Sequence, residues 1–246
     1  MTGTPWPYPR WIAHRGAGKL APENTLAAFT LGARHGYRMF ECDVKLSRDG
    51  IAFLLHDAGL ERTTNGLGTA GDKDWAVLSR LDAGSWHSRG HAGEPLPTLE
   101  NIARFCLLNQ LFLNIEIKPT PGTGAETGKV VANLAARLWQ AAAVPPLLTS
   151  FDVAALYAAQ QAQPGLPRGL LLHIATDGWI ETAQELDCVA IVCNHSLWNT
   201  TTVAQAKQAG FRCLSYTVND ETAAQGLIDL QTDGIITDRV DLFAPA

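Results

Sequence analysis

Two histidines, three carboxylates and two cations stand in this chain where apolar strands are expected. His14-Arg15-Gly16 closes one apolar run, Phe40-Glu41-Cys42-Asp43-Val44 interrupts a second, and Asn114-Ile115-Glu116-Ile117-Lys118 ends a third. Side chains two apart on a strand share a face, so Glu41 and Asp43 point one way while Cys42 and Val44 point the other. Glu116 and Lys118 oppose Ile115 and Ile117 for the same reason. Carboxylates on otherwise buried strands need partners, because an unpaired buried charge is strongly disfavoured. A bound cation facing an anionic substrate is the simplest partner. Three carboxylates without a thiolate suit a hard ion, Mg2+ or Ca2+, better than zinc. His14 and His56 can divide the proton work, one as base and one as acid. Arg15 and Lys118 supply donors for phosphate oxygens. The set describes a phosphodiester-cleaving site.

Taken singly, each residue also has an ordinary structural reading. His14 reads as a satisfied core histidine, Asp43 as a turn cap, His56-Asp57 as a strand end, and Glu116 with Lys118 as a salt bridge. Convergence is what distinguishes the two readings, and that depends on the elements carrying them.

Short apolar segments alternate with amphipathic ones almost from end to end. Strands are expected over 11–14, 39–46, 111–117, 147–150, 168–172, 188–193, 212–218 and 234–237. Helices are expected over 99–108, 125–140, 152–163, 179–186, 201–209 and 221–229, and a first helix capped by Asn24 or Thr25 runs to His35. Ser47-Arg48-Asp49-Gly50 is turn chemistry, and 51–55 returns as a hairpin partner that places His56 opposite Glu41 and Cys42. The Gly-, Asp-, Ser- and Trp-rich stretch at about 57–97 reads as an insertion with one short helix near 74–81. Repeated strand–helix units imply a parallel sheet, and eight of them in 246 residues imply a TIM (β/α)8 barrel forming a single domain over 1–246. An open doubly wound sheet is the rival, but no Gly-rich phosphate loop supports it. Barrel sites gather at the C-terminal strand ends, which is where the suspect residues fall.

Composition narrows the partners. A net charge of −5 with 17% charged residues argues against nucleic acid and anionic membrane as partners, so phosphate recognition must be local. Cys42, Cys106, Cys188, Cys193 and Cys213 are odd in number and form no CxxC pair, as expected of reduced core thiols in the cytoplasm. No apolar run has the length of a secretory signal or a membrane span, so no stable membrane insertion is expected.

With these residues assembled, the chain closely resembles the glycerophosphodiester phosphodiesterases, in their cytosolic bacterial-type branch. The matching stretches are His14-Arg15-Gly16 with Pro22-Glu23-Asn24-Thr25, Glu41-Cys42-Asp43-Val44, and Asp49-Gly50 through His56-Asp57. They continue with Leu60-Glu61-Arg62-Thr63-Thr64-Asn65-Gly66, Glu116-Ile117-Lys118, Ser150-Phe151-Asp152, Tyr216-Thr217-Val218-Asn219 and Asp233 to Asp238. Many relatives have Trp-Thr-Val-Asn where Tyr216 begins this motif. The resemblance implies metal-dependent hydrolysis of glycerophosphocholine, glycerophosphoethanolamine or similar small molecules to sn-glycerol 3-phosphate and an alcohol. It implies His14 and His56 as the acid/base pair, Glu41, Asp43 and Glu116 as metal ligands, and Arg15 and Lys118 on phosphate. The neighbouring glycerol hydroxyl would attack first and form a cyclic phosphate that water then opens. The cytosolic branch makes Mg2+ the first choice and Ca2+ the alternative. Phe151, His195, Trp198 and Tyr216 are further candidates for the pocket wall. Two other readings keep the barrel: a phospholipase-like lyase that releases the cyclic phosphate, and a phosphodiester-binding barrel without turnover.

Overall fold

Strand β2 (Met39–Leu46) sets the plan of the molecule, because all eight of its residues are buried and its two faces serve different purposes. Phe40, Cys42, Val44 and Leu46 pack outward in a core shared with Phe29, Leu99 and Ile102 of the surrounding helices. Met39 points inward to an apolar cluster with Ile12, Leu171, Val192, Leu214 and Ile236, each from a different strand. Glu41, Asp43 and Lys45 follow Met39 on the same inward face, one strand repeat at a time. The chain therefore builds an apolar floor and stacks its charges above it.

The computed structural model describes residues 6–174, 177–243 and 245. Strand β1 (Trp11–Ala13) leads through helix α1 (Leu26–Arg34) to β2, and β3 (Ala52–Leu54) returns along β2 as a hairpin. A segment carrying the short helix α2 (Trp75–Leu78) separates β3 from α3 (Leu99–Leu108). Regular alternation follows: β4 (Phe112–Ile117), α4 (Gly124–Leu138), β5 (Leu147–Ser150), α5 (Val153–Ala162), β6 (Arg168–Leu172) and α6 (Trp179–Glu185). It finishes with β7 (Ala190–Asn194), α7 (Thr200–Gln208), β8 (Arg212–Tyr216), α8 (Glu221–Asp229) and β9 (Gly234–Thr237). Apart from β3 the strands run parallel, and β1 pairs with both β9 and β2, which closes the sheet into a (β/α)8 barrel.

Local chemistry explains the boundaries. Thr25 rather than Asn24 caps α1, accepting from the Ala28 N–H, because Asn24 is left-handed (φ 59°) and its side chain is committed to Asp43. A Thr98–Asn101 capping box starts α3, and Asp152 and Asp220 cap α5 and α8. The strand expected from 188 starts at Ala190, since the Cys188 N–H still donates to Ala183 O at the end of α6.

The segment between β3 and α3 packs a core of its own from Phe53, Leu55, Leu60, Ala70, Leu78, Ala83 and Leu96. All five cysteines are free and buried. Among the described residues, no helix is long and apolar enough to cross a membrane.

Candidate active site

The chain turns sharply as it leaves β1. Arg15 is left-handed (φ 51°), and Gly16 follows at φ 101°, where a Cβ would lie 2.7 Å from the Ala28 Cβ. This turn aims the Arg15 N–H at Glu41 Oε2, 3.0 Å away. Its guanidinium donates Nη1 to Glu23 Oε1 (2.8 Å) and places Nε 3.3 Å from Asp43 Oδ2.

Three carboxylates meet beside it. Glu41 and Asp43 are neighbours on the inward face of β2, and Asp43 is the direct cross-strand partner of Glu116 on β4. One oxygen from each of the three lies within 4.8 Å of the others. Lys118 donates to Glu116 Oε1 (2.7 Å) and stands 3.7 Å from Asp43 Oδ1. Asn24 holds Asp43 through two hydrogen bonds, Nδ2 to Oδ2 (2.8 Å) and from the Asp43 N–H to Oδ1 (3.1 Å). Burial and the charges of Asp43 and Glu116 push the Glu41 carboxyl well above the usual carboxylate range. Burial and Asp43 push Glu116 up to about 7, against the pull of Lys118. At Asp43 burial also pushes upward, but Arg15, Lys118, His56 and the Asn24 hydrogen bond outweigh it and leave the group at about 2. Glu41 Oε1 is buried without a hydrogen-bond partner. A crowded trio of hard oxygens with an orphaned member is the donor set that fits a divalent cation.

Two histidine–aspartate pairs flank the trio. His14 Nδ1 lies 2.6 Å from Asp238 Oδ1, and His14 Nε2 lies 3.8 Å from Glu41 Oε2. Asn219 secures Asp238 by donating to Oδ2 (2.9 Å) and accepting its N–H (2.9 Å). His56 Nδ1 lies 2.6 Å from Asp57 Oδ1. A carboxylate only accepts, so each ring carries its proton on Nδ1 and leaves Nε2 for chemistry. Burial, with Arg15 and Lys118, holds His56 below the ordinary histidine value against Asp43 and Asp57. The hairpin register, with Leu54 opposite Val44 and the Leu55 N–H on Asp43 O, brings His56 to this position.

Lys45, the next inward residue of β2, donates Nζ to His56 O (3.0 Å) and Lys118 O (3.4 Å). Burial brings its ammonium down to about 8. It ties together the two loop ends that carry the histidine and the lysine.

A cavity of about 200 Å3 opens at this end of the barrel, lined by His14, Arg15, Glu41, His56, Glu116, Lys118, Phe151 and Tyr216. Asp43 lies beneath Arg15 and Lys118, almost fully buried. Phe151 meets Tyr216 edge-on at 5.7 Å, with Lys118 Nζ 5.5 Å from the Phe151 ring centre. Asn114, Thr149, His173 and Thr217 complete the polar lining.

Two expected wall residues lie elsewhere. Trp198 is buried between sheet and helices, its Nε1 donating to Leu214 O (2.9 Å), because the chain turns outward after β7. His195 starts that turn, which Asn194 caps, and does not line the cavity. Sequence reasoning in turn passed over Lys45, Asp57, His173 and Asp238. A signal existed for Lys45, which continues the Glu41–Asp43 alternation. Asp238 closes the Asp233 to Asp238 stretch that carried the resemblance, but nothing local ties it to His14, 224 positions away.

Gly18 packs closely behind the His14–Asp238 pair, its N–H donating to His14 O (2.8 Å). At φ 57°, a Cβ here would lie 2.2 Å from the Asp238 backbone. Gly18→Ala is therefore expected to lower both Tm and kcat, since relief requires the chain to move at Asp238 or at residue 18, whose N–H donates to His14 O. Thermal melts and steady-state kinetics check this, and an unchanged Tm and kcat would show that the close approach at Gly18 matters to neither fold nor site.

Comparison with known proteins agrees with the geometry. Residues 14–242 match the model of the glycerophosphoryl diester phosphodiesterase family. A glycerophosphodiester phosphodiesterase of Caldanaerobacter subterraneus is 30% identical over 92% of this chain and 93% of its own length. One from Bacillus subtilis is 29% identical over 94% of this chain and 84% of its own. Among solved structures, a phosphodiesterase of Oleispira antarctica, in complex with the product sn-glycerol-3-phosphate, superposes with a TM-score of 0.87 at 33% identity, covering 94% of this chain and 93% of that one. A closed barrel, a carboxylate trio between two histidines and a match from His14 onward lead to one assignment: the chain belongs to the glycerophosphoryl diester phosphodiesterase family of enzymes.

Proposed function

We propose that the protein hydrolyses glycerophosphodiesters, such as glycerophosphocholine or glycerophosphoethanolamine, to sn-glycerol 3-phosphate and an alcohol. One observation carries the reading: two carboxylate-backed imidazoles face a buried trio of acids that needs a cation, with Arg15 and Lys118 beside it. The product held by the Oleispira antarctica relative supports the same substrate class. Glu41, Asp43 and Glu116 would hold the ion, Mg2+ before Ca2+. When bound, such an ion supplies charge neutralisation at the phosphoryl group.

The chain's own residues account for the proton transfers. His56 enters neutral, with Nε2 free, and takes the proton from the glycerol hydroxyl next to the phosphate. That oxygen attacks phosphorus while the bond to the alcohol breaks, and His14, entering as the imidazolium with a second proton on Nε2, gives that proton to the departing oxygen. Arg15 and Lys118 donate to the phosphoryl oxygens throughout. The two histidines then exchange roles as water opens the cyclic phosphate. An internal nucleophile held in place has a large entropic advantage over a free one.

The test is release of glycerol 3-phosphate from several headgroup diesters after EDTA treatment and again with Mg2+, Ca2+ or Mn2+ restored. Phosphorus NMR follows the products, and a cyclic phosphate that accumulates and persists would replace hydrolysis by a lyase reaction. The pH profile tests His56. Its lowered affinity for protons places the acid limb of the profile below the ordinary histidine value of about 6.5. An acid limb centred above that value would remove His56 from the role of base.

A further inference from the structure

None of residues 57–97 lines the cavity, yet two of them, Asp57 and Arg62, reach it from behind. Arg62 donates to Asp57 twice, Nε to Oδ2 (2.6 Å) and Nη2 to Oδ1 (3.0 Å). It donates to Glu23 twice as well, Nη1 to Oε2 and Nη2 to Oε1, both 2.8 Å. Asp57 is the carboxylate behind His56, and Glu23 is the carboxylate that holds Arg15 Nη1. We propose that Arg62 is a positioning residue, a clamp that sets the His56 ring and the Arg15 guanidinium together. This rests on the base and phosphate-binding roles proposed above.

The clamp is built from outside the barrel. Leu60, two residues earlier, is buried in the inserted segment's own core with Phe53, Leu78 and Leu96. Thr63 and Thr64 are buried too, and the Thr64 hydroxyl donates to Leu60 O (2.6 Å). The turn carrying Arg62 is thus anchored by contacts that owe nothing to the cavity. From there a planar guanidinium places four N–H groups on two carboxylates, which a lysine's single ammonium centre cannot reproduce. Glu23 is restrained from both sides, by Arg62 and by Arg15. The Arg62 side chain is 43% exposed, so its ion pairs add little to global stability. What they supply is direction: paired hydrogen bonds of this kind fix orientation as well as charge.

The test compares wild-type protein with Arg62→Lys and Arg62→Ala, using the full chain with divalent metal and glycerophosphocholine. Loss of the clamp disturbs base and phosphate binder together, so kcat falls and KM rises, with kcat/KM down about 10²-fold in R62A. R62K keeps the charge without the fork and falls between. Tm stays close to wild type in both, and free guanidinium in the millimolar range restores part of the kcat of R62A alone. Imidazole NMR of His56 reads ring orientation without turnover, and its resonances shift in R62A. Unchanged kcat and KM, or His56 resonances identical to wild type, would overturn the proposal. So would a loss that tracks a fallen Tm and ignores guanidinium. Should wild-type protein release no glycerol 3-phosphate, the substrate assignment fails, and the His56 resonances still decide whether the clamp exists.

Discussion

Alanine at His14 or His56 is expected to lower kcat/KM by about 10²- to 10⁴-fold, the range over which a positioned general acid or base acts. Tm should move by only a few degrees, because neither ring belongs to the apolar core and both stand at the cavity. His14→Ala leaves Asp238 with the Asn219 hydrogen bonds, and His56→Ala leaves Asp57 with those of Arg62. The carboxylates therefore remain partnered in the variants. If the two rings serve one reaction step, the double variant should fall little further than the worse single one, since groups acting as a unit are not additive. Wild-type rates in either single variant would end the acid/base assignment.

Removing divalent metal has the second large effect. Activity should vanish with EDTA and return with Mg2+ or Ca2+, and the metal should also be visible without any substrate. Burial first, and then the like charges of their neighbours, push the carboxyls of Glu41 and Glu116 upward, so the trio is held together at a cost. An ion that binds only the folded state stabilises it by about 2.7 kcal/mol at a hundred times its dissociation constant. For a domain of this size that corresponds to a rise in Tm of roughly 5–10 °C. Glu41→Gln should raise the Tm of metal-free protein, because a neutral amide relieves the like-charge contact. The same variant should lose the metal-induced rise and the activity. A wild-type Tm indifferent to divalent ions, with turnover surviving chelation, would sink the metal reading.

The fold was legible from local pattern to an unusual degree at particular elements. Strands over 39–46, 147–150, 168–172 and 234–237, and helices over 99–108 and 221–229, have the bounds expected from alternation, caps and turn residues. These segments pair a clear hydrophobic period with a clean stop. Boundaries shifted where a neighbour intervened, as at Cys188, whose N–H remains with α6. The hairpin turn around Asp49 likewise carried enough information to place His56 opposite Cys42, because a short turn leaves little choice of register.

Residue types and their spacing along single strands determined that Glu41 and Asp43 share a face and that His14, Arg15, Glu116 and Lys118 sit at strand ends, since alternation is a local property of the backbone. The partnerships belong to tertiary structure: Asp43 beside Glu116 through the β2–β4 register, Asp238 behind His14 through barrel closure, and Arg62 joining Asp57 to Glu23 from the inserted segment. The same holds for Trp198, whose aromatic character suited a pocket wall but whose position after β7 took it to the outer core. Each of these outcomes depends on how distant strands are registered and where loops return, and no periodicity within a single segment encodes that geometry.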